Sequence, residues 1–163
     1  MKDLILVRHA KASWNNPDVP DIDRQLNDTG RREVPTMGER LAAREIMPDM
    51  ILSSPAERAH HTATMLAPYM KLPSDRIEVL DEMYLADTDV LLSLTQLCDN
   101  NVDCLMMVGH NPGLTQFANM MTEVAVDNIP TCGMYHMRFD VDVWHNVELK
   151  TGDYVAFDFP RNH

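Results

Sequence analysis

Leu4-Ile5-Leu6-Val7-Arg8-His9-Ala10 decides how this chain is read. Four apolar residues in a row, with no polar alternation, describe a strand buried on both faces, as in the interior of a parallel sheet. The run stops at a cation and an imidazole. Working outward, the same pattern recurs: Met50-Ile51-Leu52 ends in Ser53-Ser54-Pro55, Ile77 to Leu80 ends in Asp81-Glu82, and Leu105-Met106-Met107-Val108 ends in Gly109-His110-Asn111-Pro112. Between the runs lie segments of helical period. Ala59, Ala63, Leu66 and Met70 follow the second strand, Val90, Leu91, Leu94 and Leu97 the third, and Leu114, Phe117, Ala118 and Met121 the fourth. Alternating strands and helices predict an α/β domain with a largely parallel sheet. Two later alternating stretches, Met134 to Phe139 and Tyr154 to Phe159, read as strands paired antiparallel around Trp144.

Local signals place the helix starts. Ser54 is expected to cap a helix with Pro55 at its first position and Glu57 closing a capping box, which sets Arg58 in the first turn. Asn111 is expected to cap the helix that Pro112 opens, leaving unpaired N–H groups that favour a nearby anion. Val34, Met37 and Leu41 keep helical spacing, but Pro35 interrupts them, so a kink or a late start is expected after Asn27.

Composition narrows the function. The chain has 163 residues and reads as one domain, 1–163, without an internal repeat or a linker. With 14 Lys+Arg against 25 Asp+Glu, the net charge of −11 argues against nucleic acid and against an anionic membrane face as partners. Cys98, Cys104 and Cys132 form no CxxC pair, which suits a reducing cytoplasm rather than a disulfide framework. The apolar run at the N-terminus is too short for a signal-peptide core, and no stretch is long enough to span a bilayer. His60, His61, His136, His145 and His163 lack metal-ligand spacing, so no metal and no cofactor are expected. The scattered methionines, Met37, Met65, Met83, Met106 and Met121 among them, are expected to fill core gaps.

In an open parallel sheet, ligands bind beyond the carboxyl ends of the strands. Arg8, His9, Arg58, Glu82 and His110 all fall just past such ends. Two arginines, two histidines and a carboxylate on one rim match the needs of phosphoryl transfer: a nucleophile, cationic clamps and a proton donor. The carboxylates from Asp18 to Asp23 read as loop solvation.

The segments LVRHAKASW, DIDRQLNDTG, SSPAERAHHTA, LDEMYLAD, VGHNPGL and IPTCG, in this order, resemble the histidine phosphatase superfamily, and are most similar to its SixA-type phosphohistidine phosphatases. The resemblance implies a three-layer α/β/α fold of phosphoglycerate-mutase-like type, with an antiparallel strand in the mostly parallel sheet. It implies that His9 attacks phosphorus, that Arg8, Arg58 and His110 hold the phosphoryl oxygens, and that water then releases phosphate without a metal. Lys11 and Ser13 are expected to line the entrance and Arg24 to reach the phosphate. Three positions depart from the more familiar family pattern: Ala10 stands for Gly, Gln25 for Pro, and His61 for Gln. Leu80-Asp81-Glu82 matches the Leu-x-Glu whose Glu is the acid in phosphoglycerate-mutase-like relatives, a residue on which SixA-type members rely less. Whether Glu82, Asp81 or neither donates a proton stays open at this point. A phosphohistidine-bearing signalling or phosphotransfer protein is the expected substrate, since an imidazole leaving group needs little protonation. A phosphomonoesterase of small metabolites is the alternative, followed by a silent phosphate-binding module.

Overall fold

The computed structural model describes residues 1–162, so His163 lies outside the described residues. Six strands form one sheet: β1 (Lys2–Arg8), β2 (Met50–Ser53), β3 (Ile77–Val79), β4 (Cys104–Gly109), β5 (Met134–Phe139) and β6 (Asp153–Asp158). Their order is β3-β2-β4-β1-β5-β6. The pairs β2·β3, β2·β4 and β1·β4 are parallel, and β5 runs antiparallel to both β1 and β6. The mostly parallel sheet with its one reversed strand thus stands as expected.

Strand β1 shows why the sheet carries a layer on each face. Successive side chains point to opposite sides, so Ile5 and Val7 enter one apolar cluster and Leu4 and Leu6 the other. Helices α1 (Asp28–Ala43) and α2 (Glu57–Leu66) cover the first side through Val34, Met37, Leu41, Ala59, Ala63 and Leu66. Helices α3 (Thr88–Gln96) and α4 (Gly113–Met121) cover the second through Leu91, Leu114, Phe117 and Met121. Trp144, fully buried in a single turn between β5 and β6, closes that side by donating Nε1–H to the Val102 carbonyl at 2.7 Å.

Four local expectations are corrected. Helix α1 starts at Asp28 and runs through Pro35, with the Asn27 side chain accepting from the Gly30 N–H at 2.8 Å. A proline inside a helix costs roughly 3 kcal/mol, but burial of Val34, Met37 and Leu41 returns about 1.5–3 kcal/mol for each. Helix α2 starts at Glu57 with no side-chain cap, because Ser54 still belongs to the sheet ladder, its N–H bonded to the Val108 carbonyl at 3.0 Å. The capping box therefore does not form. Helix α4 starts at Gly113, one residue late; the Asn111 side chain caps it as expected, and two of its first N–H groups already have partners. Leu114 donates to the His110 carbonyl at 3.1 Å and Thr115 to Asn111 Oδ1 at 3.2 Å. Leu97, placed by its spacing on the inner side of α3, ends that helix and is exposed.

Candidate active site

The register levels the strand ends. Arg8 pairs with Gly109 across β1·β4, and Ser53 with Val108 across β2·β4, so residues 8–9, 54 and 110 emerge on one rim. Thr62 on α2 ties that rim together: its hydroxyl accepts the Ala10 N–H at 3.0 Å and donates to the Arg58 carbonyl at 2.7 Å. Arg58, only 4% exposed, is thereby set against His9.

The geometry fixes how each imidazole carries its proton. His9 Nδ1 lies 2.8 Å from the Ala10 carbonyl, which only an N–H can satisfy, so Nδ1 is the protonated nitrogen. Nε2 keeps its lone pair and accepts from Arg58 Nε at 3.4 Å. His110 faces Arg58 Nη2 through Nδ1 at 3.5 Å, so its proton sits on Nε2, donated to Ser54 Oγ at 2.7 Å. The two rings stand 5.2 Å apart. Burial above all, then the surrounding cations, pushes His9 down to about 4. His110 falls to about 3 by burial first, with His9 and Arg58 adding to it. Both rings are neutral at pH 7, so His110 is not the standing imidazolium that the clamp role suggests. Arg8 donates Nη1–H to the Ile129 carbonyl at 3.2 Å, while its buried Nε finds no partner among the described residues. A buried donor without an acceptor is costly.

Sequence reading missed Asp21 and Tyr84. Arg58 donates Nη1–H to the Asp21 carbonyl at 2.7 Å and Nη2–H to Asp21 Oδ2 at 3.0 Å. Arg24 donates to Asp21 Oδ1 at 3.0 Å, and the Tyr84 hydroxyl donates to Oδ2. Tyr84, with Arg24 and Arg58, holds the Asp21 carboxyl well below the usual carboxylate range. Tyr84 also stands edge-on to His110, ring centres 5.6 Å apart. Asp21 lies in DIDRQL and Tyr84 in LDEMYLAD, but a carboxylate in an acidic loop gives no sign of which cation it meets.

A cavity of about 400 Å³ is lined by Arg8, His9, Lys11, Ala12, Trp14, Arg24, Asn27, Arg58 and Thr131, and His110, Asp21 and Tyr84 are not among its lining residues. Lys11 and Arg24 both line it, with the Arg24 guanidinium bonded to Asp21 and to the Ser13 carbonyl. Ser13 faces a neighbouring cavity under residues 15–28 and gives its carbonyl to Arg24 Nε at 3.0 Å. Glu82 and Asp81 are exposed and lie outside this lining. Among the described residues no group of three or more His, Cys, Asp or Glu is placed to hold a metal ion, and no helix is long and apolar enough to cross a membrane.

One buried and one half-buried guanidinium around a neutral, tautomer-fixed histidine at the carboxyl edge of a mixed sheet define an α/β protein built to handle a phosphoryl group. The histidine phosphatase superfamily (branch 1) matches residues 4–95. The chain belongs to that family and is a phosphatase. An uncharacterized protein of Mycobacterium tuberculosis is 30% identical over 166 residues, covering 95% of this chain and all of its own length. The structure described as phosphohistidine phosphatase SixA from Agrobacterium tumefaciens superposes with a TM-score of 0.81 at 29% identity, over 98% of this chain and 99% of that one. A protein histidine phosphatase SixA complexed with tungstate shares the fold at a TM-score of 0.82 and 20% identity, over 97% of both chains.

Proposed function

We propose that this chain acts as a single-domain, metal-independent phosphohistidine phosphatase, removing phosphate from a histidine on a cytoplasmic signalling or phosphotransfer protein. One observation carries the reading. The carboxylate bonded to Arg58, Asp21, is held ionised, and Glu82, one of the two candidate acids, is exposed in the turn after β3 and is not among the residues lining the cavity. A site without a protonated carboxylic acid suits a leaving group that departs unaided. An alkoxide, with a conjugate acid far above neutrality, needs a proton; an imidazole with a pKa near 6.5 does not depend on one.

The chemistry follows from the geometry. His9 Nε2 attacks phosphorus with its lone pair as the phosphorus–nitrogen bond of the substrate breaks, and the leaving ring, already protonated on its other nitrogen, departs as neutral imidazole. Arg8 and Arg58, which line the cavity beside His9, supply fixed positive charge for the equatorial oxygens. The bound dianion raises the basicity of His110, which takes a proton from solvent on Nδ1, gives up its contact with Arg58 Nη2 and becomes a third donor. Water then attacks the phosphoenzyme, the phosphorus–Nε2 bond breaks, and His9 returns neutral as inorganic phosphate leaves. The cations of this chain perform the neutralising work for which other phosphatases use a metal.

The second reading is a phosphomonoesterase of small metabolites. It is favoured by the Tyr84 hydroxyl at the rim, but that O–H is donated to the ionised Asp21, which raises the phenol and makes it a poor acid. The deciding experiment offers phosphohistidine proteins and alkyl phosphates to the purified protein in a chelator. The reading expects kcat/KM at least ~100-fold higher for phosphohistidine, and a base-stable, acid-labile label on His9 after rapid quench. Preference for alkyl phosphates, or dependence on added metal, overturns it.

A further inference from the structure

Trp14 is 78% exposed, the second most exposed large apolar side chain of the described residues. It belongs to neither core cluster, and most of its apolar surface faces solvent. Yet it is not a loose side chain. The Arg24 guanidinium carbon lies 3.2 Å from the centre of its ring, a stacked cation–π contact on one face. Arg24 is itself fixed, its side chain only 10% exposed, with Nε bonded to the Ser13 carbonyl at 3.0 Å and Nη1 to Asp21 at 3.0 Å. Asp21 is in turn gripped by Arg58. A chain of contacts therefore runs from the floor of the site to the indole, and Trp14 lines the same cavity as His9.

We infer that Trp14 is a specificity-determining platform: its free face stacks on the ring of the leaving group while the phosphoryl group is held at His9. This deepens the phosphohistidine reading and rests on it. A phosphorylated imidazole is planar, and protonated on its second nitrogen it is cationic, the two properties an indole face recognises. An aliphatic leaving group offers neither. Both groups reach the same phosphoryl pocket, so the platform discriminates by what lies beyond phosphorus, at the mouth of the cavity. Arg24 acts here as a positioning residue, holding the indole with one face covered and the other open.

Phosphoimidazole and phosphoramidate carry the same phosphorus–nitrogen bond with and without a ring, which makes them the probes. Trp14→Ala is expected to lower kcat/KM for phosphoimidazole about 10-fold more than for phosphoramidate, chiefly through KM, and Trp14→Phe to recover most of the difference. Equal losses on both probes overturn the platform and leave Trp14 as a prop for Arg24; no loss on either overturns it outright. Failure of the phosphohistidine reading shows separately, as a wild-type enzyme that turns over phosphoesters but neither probe. The same variants are then compared on phenyl phosphate and methyl phosphate, where a ring-selective loss upholds the platform and a uniform loss overturns it.

Discussion

Arg8, His9, Arg58 and His110 stand on strand ends and a helix start whose neighbours, Val7, Ala10, Ala59 and Val108, are buried in the core. Trp14, Asp21 and Arg24 stand on residues 11–27, which hold only one turn of helix and are joined by side-chain and carbonyl bonds. The floor is rigid because moving it would open the sheet. The lip keeps its shape through the short Ala12–Leu26 bridge and a set of polar contacts, several of which end on Asp21. The floor should therefore set whether phosphoryl transfer occurs at all, and the lip should set for which substrate and how tightly.

The largest expected effect lies on the floor. His9→Ala should abolish the phosphoenzyme label and lower kcat by at least ~10³-fold on every substrate, read by rapid-quench labelling and steady-state rates. Arg58→Ala should cost about 10²–10³-fold, the usual loss when one fixed donor to a charged transition state is removed. If either variant kept full activity on one substrate class, floor and lip would no longer divide the work in this way.

A pH profile sharpens the same division. His9 attacks only when neutral, and with its ionisation pushed down to about 4, kcat/KM should hold through pH 5–6 and fall only as pH approaches 4. An acid limb near 6.5 would mean that the ring is solvated rather than buried. Stability should follow the same sign. The unfolded histidines take up protons below about 6.5 and the folded His9 and His110 do not, so melting temperature should drop from pH 6.5 towards 4.

Smaller effects belong to the lip. A Cβ on Gly30 would meet the Lys11 carbonyl oxygen at 2.3 Å, so α1 packs directly on the lip backbone. Gly30→Ala should cost roughly 1–3 kcal/mol in denaturant titration and weaken substrate binding as the lip shifts. Asp21→Asn removes a negative charge that occupies the Arg58 fork, and inorganic phosphate, titrated calorimetrically, should bind about 3- to 10-fold more tightly. Weaker binding would show instead that Asp21 holds Arg58 in place for the anion. Glu82→Gln, at the exposed edge of the rim, is the smallest change, within about twofold on phosphohistidine substrates, because their leaving group needs no acid.

Floor and lip were also unequally legible. Arg8, His9, Arg58 and His110 could be placed on one rim from spacing, because strand ends of a parallel sheet share an edge and apolar runs show where strands end. Glu82 obeyed the same rule yet sits exposed, since the single turn at Asp81–Met83 buries Met83 and turns the two carboxylates outward. Ser54 was read as a helix cap, but its hydroxyl serves His110. Asp21 was read as solvated. Its partner Arg58 is 37 residues away, and nothing in the local sequence specifies such a meeting.

The sequence by itself determined the alternation of strands and helices, the family, and the four cationic or nucleophilic groups at the rim, all of which follow from local period and from residues adjacent to strand ends. Only the tertiary structure decided the protonation of His9 and His110, the capture of Asp21 by Arg58, and the standing of Trp14 against Arg24. Those depend on burial and on contacts between distant segments. A charge is desolvated, or paired, only by what the rest of the chain packs around it.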